Sequence, residues 1–156
     1  MKRIIYIFVA IAICFGIGYS AQIFQAHSLA TWYPPLEKSA LTPPNEAFPI
    51  AWGIIYLCSG ISIGLVWNKQ TMLDTGLGWL FFLQLIFNFA WSILFFYLQD
   101  PLSGLIDIAL LDLTVIFYTL TCYRINRFAS LLFIPYLIWL ALATYLNLYI
   151  VINNPI

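Results

Sequence analysis

The segment Thr31-Trp-Tyr-Pro-Pro-Leu-Glu-Lys-Ser-Ala-Leu-Thr-Pro-Pro44 is the long polar interruption in a chain that is otherwise almost continuously apolar. It carries two Pro-Pro pairs, a Trp-Tyr pair and a Glu-Lys pair, which is unusual for a loop that joins membrane helices. One apolar stretch precedes it and four follow, each close to the roughly 20 residues that a membrane-spanning helix needs. The composition therefore predicts a loop over residues 27–46 that separates the first span from the other four and lies over them.

The composition excludes a water-soluble domain. Hydrophobic residues make up 63% of the chain and charged residues 8%, with six acidic and six basic side chains. The net charge of zero gives no basic field, so nucleic acid is excluded as a partner. The sequence predicts an all-α integral membrane protein in the lipid bilayer, with one domain over residues 1–156. The cysteines and the lone His27 form no metal-ligand pattern, and no metal site is predicted.

Five helices are predicted, over residues 4–25, 47–67, 75–98, 102–123 and 128–152. The last three connections are short, so consecutive helices should be antiparallel neighbours. Lys38 is the single basic residue on the side of the long loop, and the others share the side of the N-terminus. This asymmetry predicts a cytoplasmic N-terminus, with the long loop and the C-terminus facing outward. A bacterial-type cytoplasmic membrane is the simplest location for such a multi-pass chain.

One face of the third helix is polar and aromatic. Its members recur at steps of three and four residues: Gln84, Asn88, Trp91, Ser92 and Phe95. Amides are costly in hydrocarbon without partners, so this face should point into the bundle. The amides there either join helices by hydrogen bonds or contact a ligand, and periodicity alone does not separate the two.

Two further helices offer aromatic faces. The second carries an aromatic stripe beside a smooth one, and the fifth has Pro135, Trp139, Ala143 and Asn147 at four-residue steps. The stripes of the second helix are Phe48, Trp52 and Tyr56, and Gly53, Gly60 and Gly64. The glycines suit close helix contact. The rings suit either a packed core or a pocket for a large, flat, apolar ligand with a polar edge.

Two acids fall inside the fourth helix. Asp107 and Asp112 are five residues apart and project about 140° from each other, so they cannot form a carboxylate pair on one face. An acid within the membrane indicates a proton site or a contact to a basic ligand group. Alternatively, Ser or Thr hydroxyls or an interfacial partner satisfy Asp107.

The motifs, in order, resemble the tryptophan-rich sensory protein and translocator protein family, also called the peripheral-type benzodiazepine receptor family. The resemblance covers essentially the whole chain. The motifs are Trp32-Tyr33, Leu36-x-Lys38, Thr42-Pro43-Pro44, Phe48-x-x-x-Trp52-x-x-x-Tyr56, Asn88-x-x-Trp91-Ser92 and Pro135-Tyr136-x-x-Trp139-x-x-x-Ala143-Thr144-Tyr145-x-Asn147.

The resemblance implies a five-helix bundle, often a homodimer, whose first loop covers a pocket. It implies tetrapyrrole ligands such as protoporphyrin IX and haem, benzodiazepine-like compounds and, in animal members, sterols. No cofactor is required. Carried over by motif, the ligand-binding residues are Tyr33, Pro43, Trp52, Tyr56, Asn88, Trp91, Trp139 and Ala143.

The chain departs from the family pattern at two places. The usual Lys-Pro of the loop is replaced by Lys38-Ser39, which predicts a less rigid turn. The animal sterol motif needs a Lys or Arg after its Tyr, and only Ile-Val-Ile-Asn-Asn-Pro-Ile follows Tyr149. Sterol recognition through that motif is therefore not expected.

Three functions follow in order of expectation. The first is a receptor or regulator that binds a porphyrin in a lidded pocket. The second is light- and oxygen-dependent porphyrin breakdown, in which Trp52 and Trp139 would be the reactive residues. The third is tetrapyrrole transport, for which Asp107 and Asp112 would be the only proton-coupling candidates.

Overall fold

The computed structural model describes residues 2–67 and 69–154; the side chains of Lys2, Lys69 and Gln70 are outside this description. Seven α-helices are present in these ranges: α1 Lys2–Thr31, α2 Ala47–Val66, α3 Lys69–Asp74, α4 Leu77–Trp91, α5 Pro101–Ile125, α6 Arg127–Leu131 and α7 Ile134–Asn153. A π-helical segment, Ser92–Tyr97, extends α4.

Five stretches of this described chain are long and apolar enough to cross a membrane, at Arg3–Thr31, Ala47–Val66, Leu77–Tyr97, Pro101–Ile125 and Arg127–Asn153. The predicted five-helix membrane bundle is therefore confirmed. Helix α1 packs along α2, and α5 lies between α4 and α7.

The glycines of α2 set the α1–α2 distance. A Cβ on Gly60 would lie 2.7 Å from the Cα of Ile11, and a Cβ on Gly64 would lie 2.6 Å from the Cα of Ile7. The expected close contact is thus made by these two glycines. Gly53 is different, because a Cβ there would meet no atom of a neighbouring helix within 4 Å.

The first helix is longer than predicted, and the loop over residues 27–46 is correspondingly shorter. The helix continues past residue 25 to Thr31 because none of the intervening residues is a glycine or a proline. It ends where Pro34 disfavours a helical conformation for the preceding residue. Ser28 donates a hydrogen bond of 2.5 Å to the carbonyl of Phe96, which holds this extra length against the π-helical segment. We call residues 32–46, between α1 and α2, the strap.

Two further boundaries differ from the prediction. Residues 69–74 form the short helix α3 where a plain loop was expected, and Gly76, at φ +67°, turns the chain into α4. The expected continuous fifth helix is divided into α6 and α7. Pro135 causes the break, because its ring would clash with the carbonyl of Leu131 in an uninterrupted helix. It sits instead in the first turn of α7.

Candidate functional site

A small cavity of about 30 Å³ lies between four helices, in the half of the bundle next to the strap. Its walls come from α2, α4, α5 and α7. The lining residues are Phe48, Trp52, Asn88, Trp91, Ile108, Leu111, Trp139, Leu140, Leu142, Ala143 and Leu146. This volume holds about one water molecule.

Aromatic rings close the side of the cavity where α2 faces α7. The rings of Phe48 and Trp139 meet edge to face with centroids 5.4 Å apart, and those of Trp52 and Trp139 do so at 6.4 Å. Trp52 also stacks on Tyr56 at 5.5 Å. These three side chains of α2 are one turn apart, so helix periodicity alone brings them to one face.

The polar atoms of Asn88 are already paired inside the protein. The hydroxyl of Tyr56 donates to its Oδ1 at 3.3 Å, and its Nδ2 donates to the hydroxyl of Tyr136 at 3.0 Å. The side chain is 4% exposed. Asn88 therefore joins α2, α4 and α7 at the cavity wall, as a polar residue in a membrane bundle often does.

A second amide fixes the opposite wall. The indole N–H of Trp91 donates to Oδ1 of Asn147 at 3.1 Å, and Nδ2 of Asn147 donates to the carbonyl of Pro101 at 2.8 Å. Gly104 leaves room for this arrangement, because a Cβ there would lie 3.2 Å from the same Oδ1. Trp91 is thus held by α7 and by the start of α5.

The other two indoles of the cavity keep their donors free. No hydrogen bond within the described chain involves the indole N–H of Trp52 or of Trp139. Two residues of the mainly apolar cavity lining therefore carry an indole N–H group without a partner in the described chain. A flat ligand with acceptor atoms at its edge has complementary chemistry.

Of the eight residues predicted to bind a ligand, the structure brings five together at the cavity: Trp52, Asn88, Trp91, Trp139 and Ala143. Tyr56 lies directly behind them, against Trp52 and Asn88. Tyr33 does not reach the cavity and packs on Phe96, with ring centroids 5.7 Å apart. Pro43 of the strap does not line the cavity either.

Burial raises the pKa of the Tyr33 hydroxyl, as expected for a phenol partly removed from water.

The polar and aromatic face predicted for the third span is largely buried. Its members Gln84, Asn88, Ser92 and Phe95 are all buried. On α7, Pro135 is exposed, whereas Trp139 and Ala143 are partly buried and Asn147 is buried.

The contribution of α5 was not predicted from the sequence. Ile108 and Leu111 of α5 line the cavity, and both are at most 2% exposed. Aliphatic side chains in an apolar helix carry no chemical signal, so only the packing of α5 between α4 and α7 identifies them. Phe48 did stand on the predicted aromatic face, but it had not been assigned to the site.

The larger depression is a bilayer-facing groove of about 890 Å³ between α1 and α4. Side chains along it, such as Ile13 and Phe82, are about half exposed. Its lining is almost entirely apolar, as the outer surface of a membrane bundle should be. The smaller cavity is the better candidate site because it combines apolar rings with oriented polar groups.

Known proteins match along nearly the whole chain. The profile of the TspO/MBR family matches residues 10–152. The chain belongs to the TspO/MBR family. It is 43% identical over 139 residues to the tryptophan-rich protein TspO of Archaeoglobus fulgidus, covering 89% of this chain and 90% of that protein.

Other TspO/MBR relatives span bacteria and animals. The tryptophan-rich protein TspO of Chlorobaculum tepidum is 35% identical over 158 residues, covering 99% of each chain. The human translocator protein is 31% identical over 122 residues, covering 74% of this chain and 70% of the human one. With the five apolar helices, these matches make the chain a multi-pass membrane protein of the TspO/MBR family.

Proposed function

We propose that this TspO/MBR protein is a receptor or regulator that binds a porphyrin-type ligand, such as protoporphyrin IX or haem, in the aromatic cavity. The supporting observation is the set of three indole rings, those of Trp52, Trp91 and Trp139, around one cavity. Flat benzodiazepine-like compounds share the required shape. Stacking and edge-to-face contacts with such rings favour large planar ligands.

The free polar groups favour a ligand that brings acceptors. The amides of Asn88 and Asn147 are already hydrogen-bonded within the protein, whereas the N–H groups of Trp52 and Trp139 have no partner among the described residues. Carboxylate or carbonyl oxygens at the edge of a macrocycle would satisfy both donors. Asn88 can contribute to binding only by exchanging a tyrosine partner for the ligand.

Binding requires the cavity to expand. Pockets for drug-sized ligands measure about 300–1,000 Å³, and the cavity measures about 30 Å³. The contacts of Phe48 and Trp52 with Trp139 are between rings, without a hydrogen bond between them. These rings are the wall that can move apart most easily. Opening at α2 and α7 therefore accompanies ligand entry.

The membrane and orientation are part of the proposal. Relatives from bacteria and archaea favour the cytoplasmic membrane. The excess of basic residues at the N-terminal side favours a cytoplasmic N-terminus, with the strap and cavity facing outward. Homodimer formation remains a prediction of the family resemblance.

The test is a titration of the purified protein in lipid nanodiscs with protoporphyrin IX in the dark, followed by fluorescence anisotropy of the porphyrin. Trp139→Phe removes a free donor and ring area, so we expect Kd to rise about tenfold. Trp79→Phe is the matched control, because Trp79 is 66% exposed on the outside of α4. Unsaturable binding, or equal Kd for both variants, would contradict the proposal.

Light-dependent breakdown of the bound porphyrin is the second candidate. It is favoured by the placement of the Trp52 and Trp139 rings, 6.4 Å apart at one cavity. Under illumination in air, we would expect pigment loss that stops in Trp52→Phe while dark binding persists. Pigment loss at the same rate in this variant would assign the chemistry to the free photosensitiser.

A further inference from the structure

The strap is attached to the bundle in two different ways. Its first residues are inserted among rings of the π-helical segment: Trp32 meets Phe95 at 5.5 Å and Tyr33 meets Phe96 at 5.7 Å. The next residues are joined to α7 by hydrogen bonds. Residues 40–46, which lead across to α2, make no hydrogen bond to the described side chains and backbone of α1, α4, α5 or α7.

Asn154, directly after α7, makes two hydrogen bonds to the strap backbone. Its Oδ1 accepts from the amide of Glu37 at 2.8 Å, and its Nδ2 donates to the carbonyl of the same residue at 3.1 Å. The side chain is itself oriented, because Nδ2 also donates to the carbonyl of Ile150 at 3.0 Å. One amide thus pairs with both backbone groups of one strap residue.

A second attachment uses the residue that departs from the family pattern. Ser39 stands where the pattern has proline, and its Oγ lies 3.0 Å from the hydroxyl of Tyr145 on α7. The same Oγ accepts from the amide of Leu41 at 3.2 Å. The serine consequently exchanges the rigidity of proline for a polar link to α7.

The intervening Lys38 makes the attached part of the strap a compact unit. Its Nζ donates to the carbonyls of Tyr33, Pro34 and Leu36 at 3.0, 2.8 and 2.9 Å. It also lies 5.0 Å from the centroid of the Tyr33 ring. Residues 33–39 should therefore move together when their links to α7 break.

We propose that Asn154, with the Ser39–Tyr145 pair, is a latch that holds the strap on α7 and limits ligand exchange with the cavity. The latch joins residues 37 and 39 of the strap to Asn154 and Tyr145, and residues 40–46 run from this anchor to α2. Helices α2 and α7 are the two whose rings must separate for the cavity to open. The Glu37–Asn154 bonds lie at the surface, where water competes and release is inexpensive.

The first measurement needs no ligand. Amide hydrogen exchange of the strap is compared in nanodiscs for the wild type, Asn154→Ala and Asn153→Ala. Loss of the two bonds should speed exchange of the strap peptide about tenfold. Asn153→Ala is a matched control, because among the described residues the Nδ2 of Asn153 bonds only the Tyr149 carbonyl of its own helix. Glu37→Ala should also behave as wild type, since Asn154 hydrogen-bonds the backbone atoms of Glu37 and not its side chain.

The second measurement rests on the proposed function and uses stopped-flow mixing with protoporphyrin IX. In Asn154→Ala, association and dissociation rates should both rise about tenfold, with Kd within about twofold, because the cavity lining is untouched. Tyr145→Phe should show a smaller rise in both rates. Tyr149→Phe is its control, because the Tyr149 hydroxyl makes no hydrogen bond in the described chain.

The outcomes separate the two proposals. Unchanged strap exchange in Asn154→Ala overturns the latch whatever the ligand does. Faster strap exchange with unchanged binding rates overturns its control of entry. Absence of saturable porphyrin binding in the wild type overturns the proposed function, while the amide exchange of the strap still decides the latch.

Discussion

Two asparagines show how the same side chain serves the bundle and the site. Asn88 and Asn147 each use their carbonyl oxygen and their amino group in hydrogen bonds to other elements. Between them they tie α2, α4, α5 and α7 around the cavity. An amide so placed is satisfied in hydrocarbon and fixes the rings beside it. In the proposed site, such an amide would therefore act first by positioning the rings.

Asp107 is the opposite case. It is 6% exposed, and its Oδ2 makes no hydrogen bond in the described chain. The expectation that hydroxyl groups satisfy it is wrong for this oxygen. Thr144 instead donates to Oδ2 of Asp112, at 2.8 Å. The basic residues nearest to Asp107 along the chain are Arg124, near the end of α5, and Arg127, at the start of α6.

We predict that Asp107→Asn folds with an equal or higher melting temperature in detergent. The substitution keeps the shape of the side chain and removes a buried carboxyl that lacks a partner. Porphyrin affinity should stay within about twofold of wild type, because Asp107 does not line the cavity. Asp112→Asn serves as the comparison, since its hydroxyl partner can bond to either side chain. A marked loss of stability in Asp107→Asn alone would show that the carboxyl has a structural role.

At the level of elements, the tight turn between the π-helical segment and α5 depends on local chemistry. Gln99 adopts φ +55°, and Asp100 then caps α5 by accepting from the amides of Leu102 and Ser103 at 3.1 and 3.0 Å. The Ser103 hydroxyl also donates to it, at 2.6 Å. These hydrogen bonds, chiefly those from Ser103, hold the pKa of Asp100 below its ordinary value. The carboxylate form is thus the better cap.

We predict that Asp100→Ala lowers the melting temperature at pH 7 by about 2–4 °C. The lowered pKa means that the contribution of the cap is present above the unfolded-state value, about 3.9, and is lost as pH falls through the folded-state value. The difference from wild type should therefore shrink in acid. Thermal unfolding at a series of pH values checks this, and a difference that grows in acid would refute it. Asp100→Asn, an uncharged cap, should lack this pH dependence.

The elements also show what the sequence could predict. Apolar length alone predicted five spans, and periodicity predicted the buried face of α4, because both depend only on local spacing. The end of α1, the short α3 and the break before α7 depend on where helices stop, which polarity does not determine. Ile108 and Leu111 were missed because an aliphatic wall is defined by its neighbours. The latch could not be predicted from the sequence either, since it joins Glu37 to a residue 117 positions away.

Considered as a whole, the bundle has two unlike halves. The cavity and the strap occupy one half, and the other is a tightly packed core. In that core the rings of Tyr118 and Phe133 lie 4.2 Å apart, and both side chains are 0% exposed. Ser62 adds hydrogen bonds to the Tyr118 hydroxyl and to the carbonyl of Ala129, at 3.0 and 2.8 Å. A porphyrin admitted beneath the strap would therefore meet a barrier of packed rings before the opposite membrane face.

This division favours reception of a ligand over its transport. Moving a macrocycle through the second half would require the Tyr118–Phe133 core and the Asn88 hydrogen bonds to separate together, and close-packed interiors resist such changes. We predict that sealed proteoliposomes bind protoporphyrin IX saturably but accumulate no more of it inside than protein-free liposomes, with or without a pH gradient. Uptake is measured after extraction of external porphyrin with albumin. Gradient-dependent accumulation that is lost in Asp107→Asn or Asp112→Asn would instead establish proton-coupled transport, and would require the packed half to open.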